Sequence, residues 1–202
     1  MKSHKAESSA SWFYWTARFV CMVLFKVGWR LSVQGAENVP LSGSVIFSSN
    51  HRSYADPPLV SVSCPRPIHF LAKKELFRFR PFGWLITNLN SHPLNRKSGS
   101  GGVKEMQRLL AQRCGVLVFP EGKRHKSPGL GSAKPGVGLL AIKTKTPVVP
   151  IYIHNSDLMG YFKKLTVVYG SPISPEGFSS YQDFADRVLS EIQDLRKRFL
   201  KQ

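Results

Sequence analysis

Apolar runs and amphipathic stretches alternate along most of this chain, which is the pattern of an α/β fold. The apolar runs predict strands over residues 43–48, 69–72, 91–96, 115–120, 147–153 and 165–169. Helical spacing or a helix-start signal predicts helices over residues 57–64, 103–113, 139–144 and 181–201. The expected architecture is a two-layer-type α/β sandwich with a mixed, largely parallel central sheet flanked by helices, in one domain over residues 35–202.

Residues 1–34 are expected to form a separate N-terminal amphipathic helix. The longest uninterrupted apolar run is Phe19 to Phe25, so a spanning helix of about 20 apolar residues is not expected. The spacing over residues 12–33 predicts one apolar face, made of Phe13, Ala17, Val20, Leu24, Val27 and Leu31. A different arc carries basic and tryptophan side chains: Arg18, Lys26, Arg30, Trp12, Trp15 and Trp29.

Two interpretations of this helix remain open. Tryptophans beside cations are typical of a helix in a membrane interface, with rings at headgroup depth and cations among lipid phosphates. This interpretation predicts a peripheral protein on the cytoplasmic face of an anionic membrane. The alternative is a helix that packs its apolar face against the domain and turns its basic side to water.

The chain carries a net charge of +17, and most of the excess lies in one block. Residues 66–134 hold 14 Lys and Arg against 3 Asp and Glu, a net charge of +11. A negatively charged partner is therefore expected: nucleic acid, an acidic membrane face or a phosphorylated substrate. The histidines show no metal-ligand spacing and the three cysteines are widely separated, so neither a metal site nor a disulfide framework is predicted.

The stretch from Asn50 to Asp56 follows the first predicted strand and contains His51 five residues before Asp56. Because Pro57 comes next, Asp56 is expected to be the N-cap of a helix that begins at Pro57. The turn would bring the Asp56 carboxylate to one ring nitrogen of His51, leaving the other nitrogen as a general base. The alternative is a capped turn with an ordinary loop histidine.

Two further polar clusters follow predicted strands. Arg96 ends the strand over residues 91–96, and Glu121, Gly122, Lys123 and Arg124 follow the strand over residues 115–120. Ligand sites in α/β proteins gather at the carboxyl ends of strands, so these residues and His51 predict a base beside a cationic pocket. Taken singly, each cluster is equally consistent with a solvated turn.

Four motifs occur in one order along the chain. Asn50–Asp56 resembles a His-x4-Asp block, Gly83–Arg96 a second block ending in arginine, Phe119–Arg124 a Phe-Pro-Glu-Gly block, and Val148–Pro150 a final proline block. Together they resemble the glycerolipid acyltransferase family, whose best-known members acylate lysophosphatidic acid to phosphatidic acid. The resemblance covers about residues 36–175.

The resemblance implies acyl transfer from a thioester of coenzyme A or acyl-carrier protein to a glycerol hydroxyl, with no metal or other cofactor. His51 would take the hydroxyl proton and pass it to the leaving thiolate, while Asp56 orients the ring and stabilises the imidazolium. No enzyme serine is required for this chemistry. Ser53 lies near His51 in the sequence and is a less favoured alternative as a covalent nucleophile.

The resemblance also assigns the binding residues. Arg96 and Arg124 would clamp the acceptor phosphate, since a guanidinium binds phosphate bidentately, and Lys123 would add a point charge. Glu121 would orient the glycerol hydroxyls or brace an arginine, and Gly122 would let backbone N–H groups approach the ligand.

The acceptor itself stays open. The chain has Lys123 and His125 where the family often has Thr and Ser, and Asn95 where an aspartate is common. These changes add donors and remove a negative charge, so the phosphate is held more strongly or the acceptor differs. The resemblance favours 1-acyl-glycerol-3-phosphate; other lysophospholipids, lyso-ornithine lipids and glycerol-3-phosphate remain alternatives.

Two alternatives lie outside the enzymes. A non-catalytic lipid-surface module would share the basic block and the N-terminal helix, but would give no reason for a His-Asp pair. A nucleic-acid binder is not expected, because no recognised nucleic-acid module fits the sequence.

Overall fold

One seven-stranded sheet organises the computed structural model, which describes residues 12–94, 101–124 and 130–201. The strands are β1 (Ser32–Gln34), β2 (Val45–Ser49), β3 (Ile68–Lys73), β4 (Ser91–Leu94), β5 (Gly115–Val118), β6 (Val148–His154) and β7 (Thr166–Tyr169). The helices are α1 (Trp12–Trp29), α2 (Asp56–Ser63), α3 (Arg80–Asn88), α4 (Gly101–Ala111), α5 (Gly136–Thr144) and α6 (Tyr181–Leu200).

The strand order is β1-β7-β6-β2-β5-β3-β4; among the strand pairs of the described residues, β6 and β7 are antiparallel and the other pairs are parallel. The predicted fold class, a mixed and largely parallel sheet flanked by helices, is confirmed. Strands β6, β2, β5, β3 and β4 run in one direction, so their carboxyl ends share one edge of the sheet. That edge is where a parallel sheet places its ligand sites.

Strand β2 is buried along its whole length, as expected for a central strand of a parallel sheet. Successive side chains alternate between the faces: Val45 and Phe47 join the hydrophobic core that includes α2, whereas Ile46 joins the core formed with α4, α5 and α6. Helices therefore cover both faces, and β2 projects the segment that follows it from the middle of the sheet edge.

The N-terminal helix is shorter than the apolar spacing predicted. It ends at Trp29, and Arg30 adopts a left-handed conformation with φ 50°. Residues 32–34 then pair as β1 in parallel with β7, with Ser32 opposite Thr166. The sequence did not indicate this strand, because three residues with one apolar side chain are too few to show the alternation of apolar and polar positions that predicts a strand. Pairing with β7 determines their extended conformation.

The face by which α1 packs differs from the predicted one. Tyr14 is fully buried, and its hydroxyl lies 3.1 Å from Ser61 Oγ. Arg18, expected among lipid phosphates, instead donates to the carbonyls of Ser61 and Cys64 at the end of α2. A cation is favoured there because the last carbonyls of a helix lack intrahelical partners and the C-terminus is the negative end of the helix dipole. Trp29 was also misplaced: it packs against the core and donates Nε1–H to the Met159 carbonyl at 2.7 Å.

The predicted apolar face of α1 is divided between the core and the surface. Leu31 is buried in the core and Phe13 and Ala17 are partly buried, whereas Val20, Leu24 and Val27 are 50%, 59% and 78% exposed. The interpretation in which the whole face packs against the domain therefore holds only in part. Trp12 and Phe19 extend the same exposed apolar surface. Across the described residues, no helix combines the length and the hydropathy needed to cross a bilayer.

Candidate active site

His51 and Asp56 meet in the turn between β2 and α2, as the sequence predicted. His51 Nδ1 lies 2.8 Å from Asp56 Oδ2; the Asp56 side chain is fully buried and that of His51 is 18% exposed. A carboxylate only accepts hydrogen bonds, so Nδ1 of the neutral imidazole carries the proton and Nε2 keeps its lone pair. The pair therefore has the form of an oriented general base.

Asp56 does more for the turn than for the helix. Its Oδ2 also accepts from the backbone N–H groups of Arg52 at 2.7 Å and Ser53 at 2.8 Å. The prediction of Asp56 as N-cap is wrong, because Asp56 is the first helical residue, Ala55 occupies the cap, and no side chain caps the helix. The other oxygen of this carboxylate, Oδ1, is buried without a hydrogen-bond partner among the described residues.

Asn50 fixes the start of this turn, a role that the sequence did not reveal. Its side-chain amide donates to the Ile153 carbonyl at 3.0 Å and accepts from the Ile153 N–H at 2.7 Å. The buried amide thus continues the β2–β6 pairing by one further residue. The available signal was an asparagine close behind the apolar run over residues 45–47, because a side-chain amide can both donate to and accept from a neighbouring peptide.

Phe119 and Glu121, which follow β5, hold His51 from the other side. The Phe119 ring stacks on the imidazole with a centroid separation of 3.8 Å. Glu121 is buried; its Oε1 accepts from the His51 N–H at 3.2 Å and its Oε2 from the Gly131 N–H at 2.7 Å. Both oxygens of this carboxylate therefore bond to the backbone, one of them to the backbone of His51 itself.

The basic residues that follow Glu121 are exposed at the same edge. Gly122 has φ +69°, a left-handed conformation that a residue with a Cβ rarely adopts. A Cβ at this position would also lie 3.0 Å from Lys134 Cδ, so the Lys134 side chain passes close over the glycine. Sequence reasoning gave Lys134 no role, because it stands far from the Glu121–Arg124 segment along the chain.

Arg124 reaches back to the His51–Asp56 turn. Its guanidinium carbon lies 3.5 Å from the centroid of the Tyr54 ring, a cation–π contact with an exposed side chain of that turn. Lys73 and Lys74, at the carboxyl end of β3, expose two further cations at this edge that the sequence prediction left out. Arg96, with Asn95 and His125, lies outside the described residues.

This arrangement supplies a base and positive charge at one edge of the sheet. A neutral imidazole can take the proton of a hydroxyl group, and an anionic group on the same ligand would be attracted to the nearby arginine and lysines. The Ser53 hydroxyl accepts from Ala55 N–H at 3.2 Å within its own turn. The Nε2 atom of His51 is thus the group in this turn that can deprotonate a hydroxyl on a bound ligand.

Comparison with known proteins gives a consistent picture. A family model described as Acyltransferase matches residues 30–154. A chloroplastic 1-acyl-sn-glycerol-3-phosphate acyltransferase from Brassica napus is 31% identical over 159 residues, which are 77% of this chain and 43% of the relative. The enzyme of that name from Streptococcus pneumoniae is 25% identical over 188 residues, 87% of this chain and 70% of the relative. The chain thus spans less than half the length of the plant relative.

A solved structure extends the likeness to the fold. The crystal structure of the 1-acyl-sn-glycerophosphate (LPA) acyltransferase from Thermotoga maritima superposes with a TM-score of 0.76 at 25% identity, covering 91% of this chain and 80% of that one. The matched segment 30–154 contains His51, Asp56, Glu121 and Arg124. On this evidence the chain belongs to the Acyltransferase family.

Proposed function

We propose that the protein transfers a fatty acyl group from a thioester to the free hydroxyl of 1-acyl-glycerol-3-phosphate, giving phosphatidic acid. The observation that carries the proposal is the His51–Asp56 pair, 2.8 Å apart, with Arg124 stacked on Tyr54 of the same turn. The names of the matched relatives support the choice of acceptor.

The proposed reaction needs one base and no enzyme nucleophile. Nε2 of His51 takes the acceptor hydroxyl proton as the oxygen attacks the thioester carbonyl carbon, and a tetrahedral intermediate forms. When that intermediate collapses, the carbon–sulfur bond breaks and the imidazolium returns the proton to the leaving thiolate, so the products are an ester and a free thiol. The buried Asp56 carboxylate stabilises the imidazolium between the two steps.

Acceptor binding is proposed to use the cations beside the turn. Arg124 binds the acceptor phosphate through its guanidinium, with Lys123 adding charge and Arg96 as a second arginine. Glu121 acts as a positioning residue for His51, because both of its oxygens already accept backbone N–H groups. Gly122, whose φ of +69° disfavours a side chain, lets the backbone N–H groups of this segment approach the ligand.

The acyl donor is proposed to be a thioester of coenzyme A or acyl-carrier protein, and the chemistry above uses no metal or further cofactor. The acceptor is a lipid, so we place the enzyme peripherally on the cytoplasmic face of an anionic membrane. The exposed apolar surface of α1 supports this placement, because Phe19, Leu24 and Val27 would lose contact with water in the interface. Nucleic acid is not a proposed partner.

An acceptor panel tests the proposed function. The full-length chain is incubated with vesicles, one labelled acyl thioester and, in turn, 1-acyl-glycerol-3-phosphate, other lysophospholipids, a lyso-ornithine lipid or glycerol-3-phosphate. Labelled phosphatidic acid with stoichiometric thiol release is expected, and His51→Ala should abolish both while keeping the fold. Label on another acceptor would replace the substrate assignment, and vesicle binding without thiol release would favour the lipid-surface module.

A further inference from the structure

A pocket that the proposed acceptor site does not use opens at the carboxyl end of β6. Its volume is about 180 Å³, and Asn50 and Arg52, the two chain neighbours of His51, form part of its lining. Tyr152 and His154 line it from β6, and Arg196 lines it from α6. The pocket is therefore continuous with the His51–Asp56 turn, yet separate from Arg124 and Lys123.

The lining combines neutral polar groups with positive charge. Of the described residues, two arginines and one carboxylate line the pocket. Asp157 is paired with Arg52 at 2.5 Å, so the pocket keeps a net positive charge at Arg196. The Tyr152 hydroxyl lies 3.0 Å from His154 Nδ1, and burial lowers the pKa of His154, which keeps that imidazole neutral near pH 7. Leucine side chains complete the walls: Leu130, Leu158 and Leu200. Such a pocket suits a ligand that is polar, partly apolar and anionic at one point.

Strand order places this pocket opposite the acceptor site. His51 follows β2, whose neighbours in the sheet are β5 and β6. Lys123 and Arg124 follow β5 on one side of His51, whereas the pocket follows β6 on the other side. An acyl transfer has two substrates, and both must lie next to the base when they react. If the acceptor occupies the β5 side of His51, the acyl donor can reach the base from the β6 side.

We propose that this pocket binds the 4′-phosphopantetheine arm of the acyl donor, with Arg196 contacting its phosphate. The inference rests on the proposed function and deepens it by assigning a site for the donor. Coenzyme A and acyl-carrier protein present the same arm, which carries two amides, a hydroxyl, a gem-dimethyl group and a phosphate. That phosphate is a diester to serine in acyl-carrier protein and half of a pyrophosphate in coenzyme A. The neutral polar groups and leucines match the arm, and the guanidinium of Arg196 matches the phosphate.

Equilibrium binding tests the assignment without requiring turnover. The full chain is titrated calorimetrically with 4′-phosphopantetheine and with pantetheine, which lacks only the phosphate. Arg196→Gln is compared with Arg198→Gln, a matched control on α6 whose side chain is 65% exposed and lies outside the pocket lining. We expect the parent and Arg198→Gln to bind the phosphorylated probe about tenfold more tightly than pantetheine, and Arg196→Gln to lose that preference.

Donor kinetics give a second readout that separates the two carriers. Arg196→Gln should raise the KM for acyl-coenzyme A and for acyl-acyl-carrier protein about equally, and leave both the KM for acyl-pantetheine and the acceptor KM unchanged. An effect confined to acyl-coenzyme A would overturn the proposal by pointing to the nucleotide, and so would equal binding of the two probes by the parent. A parent that binds 4′-phosphopantetheine but forms no lipid would refute the proposed function alone.

Discussion

His51 Nδ1 and two backbone N–H groups of its own turn converge on one oxygen of Asp56, at 2.7–2.8 Å. An Asp56→Asn variant keeps an acceptor for these donors but loses the charge that stabilises an imidazolium. We expect thiol release at saturating substrate to fall by about 10²–10⁴-fold, the usual contribution of general acid–base catalysis. Thiol release is measured beside a thermal unfolding curve; a well-folded variant with near-parental activity would contradict the base role of His51.

The contact between His51 and Asp56 was predictable from their spacing. A short turn that leads directly into a helix brings the carboxylate at the helix start back to the histidine at the start of the turn. The capping role was mispredicted, since local spacing cannot show that the N–H groups of Arg52 and Ser53 compete for the same oxygen. Arg18 shows the same limit over a longer range. Its sequence position suggested lipid, but the unpaired carbonyls of α2, more than 40 residues away, determine where it lies.

Asn50 is expected to stabilise the turn through its two bonds to Ile153. Asn50→Ala leaves a buried N–H and a buried C=O without partners, which should lower the free energy of unfolding by about 2–4 kcal/mol. Urea unfolding measures this loss. Asn88→Ala is the matched control, because its amide makes one exposed bond to the Trp84 carbonyl and its removal should have a small effect. Equal losses in the two variants would contradict the positioning role of Asn50.

Glu121 should affect turnover rather than acceptor affinity. In Glu121→Gln, the amide NH₂ group must face either the His51 N–H or the Gly131 N–H. Two hydrogen-bond donors would then face each other in a buried site, which is unfavourable. We expect a lower kcat with an acceptor KM close to the parental value. Arg124→Gln should do the opposite and raise the acceptor KM about tenfold, because it removes a charge-assisted bond to phosphate. A raised acceptor KM in Glu121→Gln would instead indicate direct substrate contact.

His69 is expected to make the fold sensitive to acid. Burial, followed by the positive charge that His92 would carry, lowers the pKa of His69 from 6.5 to about 4. His69 Nδ1 lies 3.0 Å from His92 Nε2, and His92 Nδ1 lies 3.2 Å from Glu105 Oε1, so each imidazole donates from Nδ1 toward the carboxylate. The buried Nε2 of His69 has no partner among the described residues.

The sign of this effect follows from proton binding. Below pH 6.5 the unfolded chain protonates His69 while the folded chain does not, so stability is lost as the pH falls toward about 4. The loss attributable to His69 should approach about 3 kcal/mol. His69→Asn, whose amide can replace the Nδ1–H donor, should show a smaller decline in urea unfolding measured across this range. Parallel declines in the parent and the variant would contradict the assignment.

The exposed apolar surface of α1 should govern membrane binding without supporting the fold. Val27 is 78% exposed, so Val27→Glu removes no core contact but places a charge where the side chain would enter the interface. Partitioning onto vesicles that contain anionic lipid should fall by about tenfold, the value expected when burial of one valine is lost. Leu41→Glu is the matched control, because Leu41 is 72% exposed and lies outside α1. Sedimentation with vesicles measures the partitioning; equal binding by both variants would show that another surface faces the membrane.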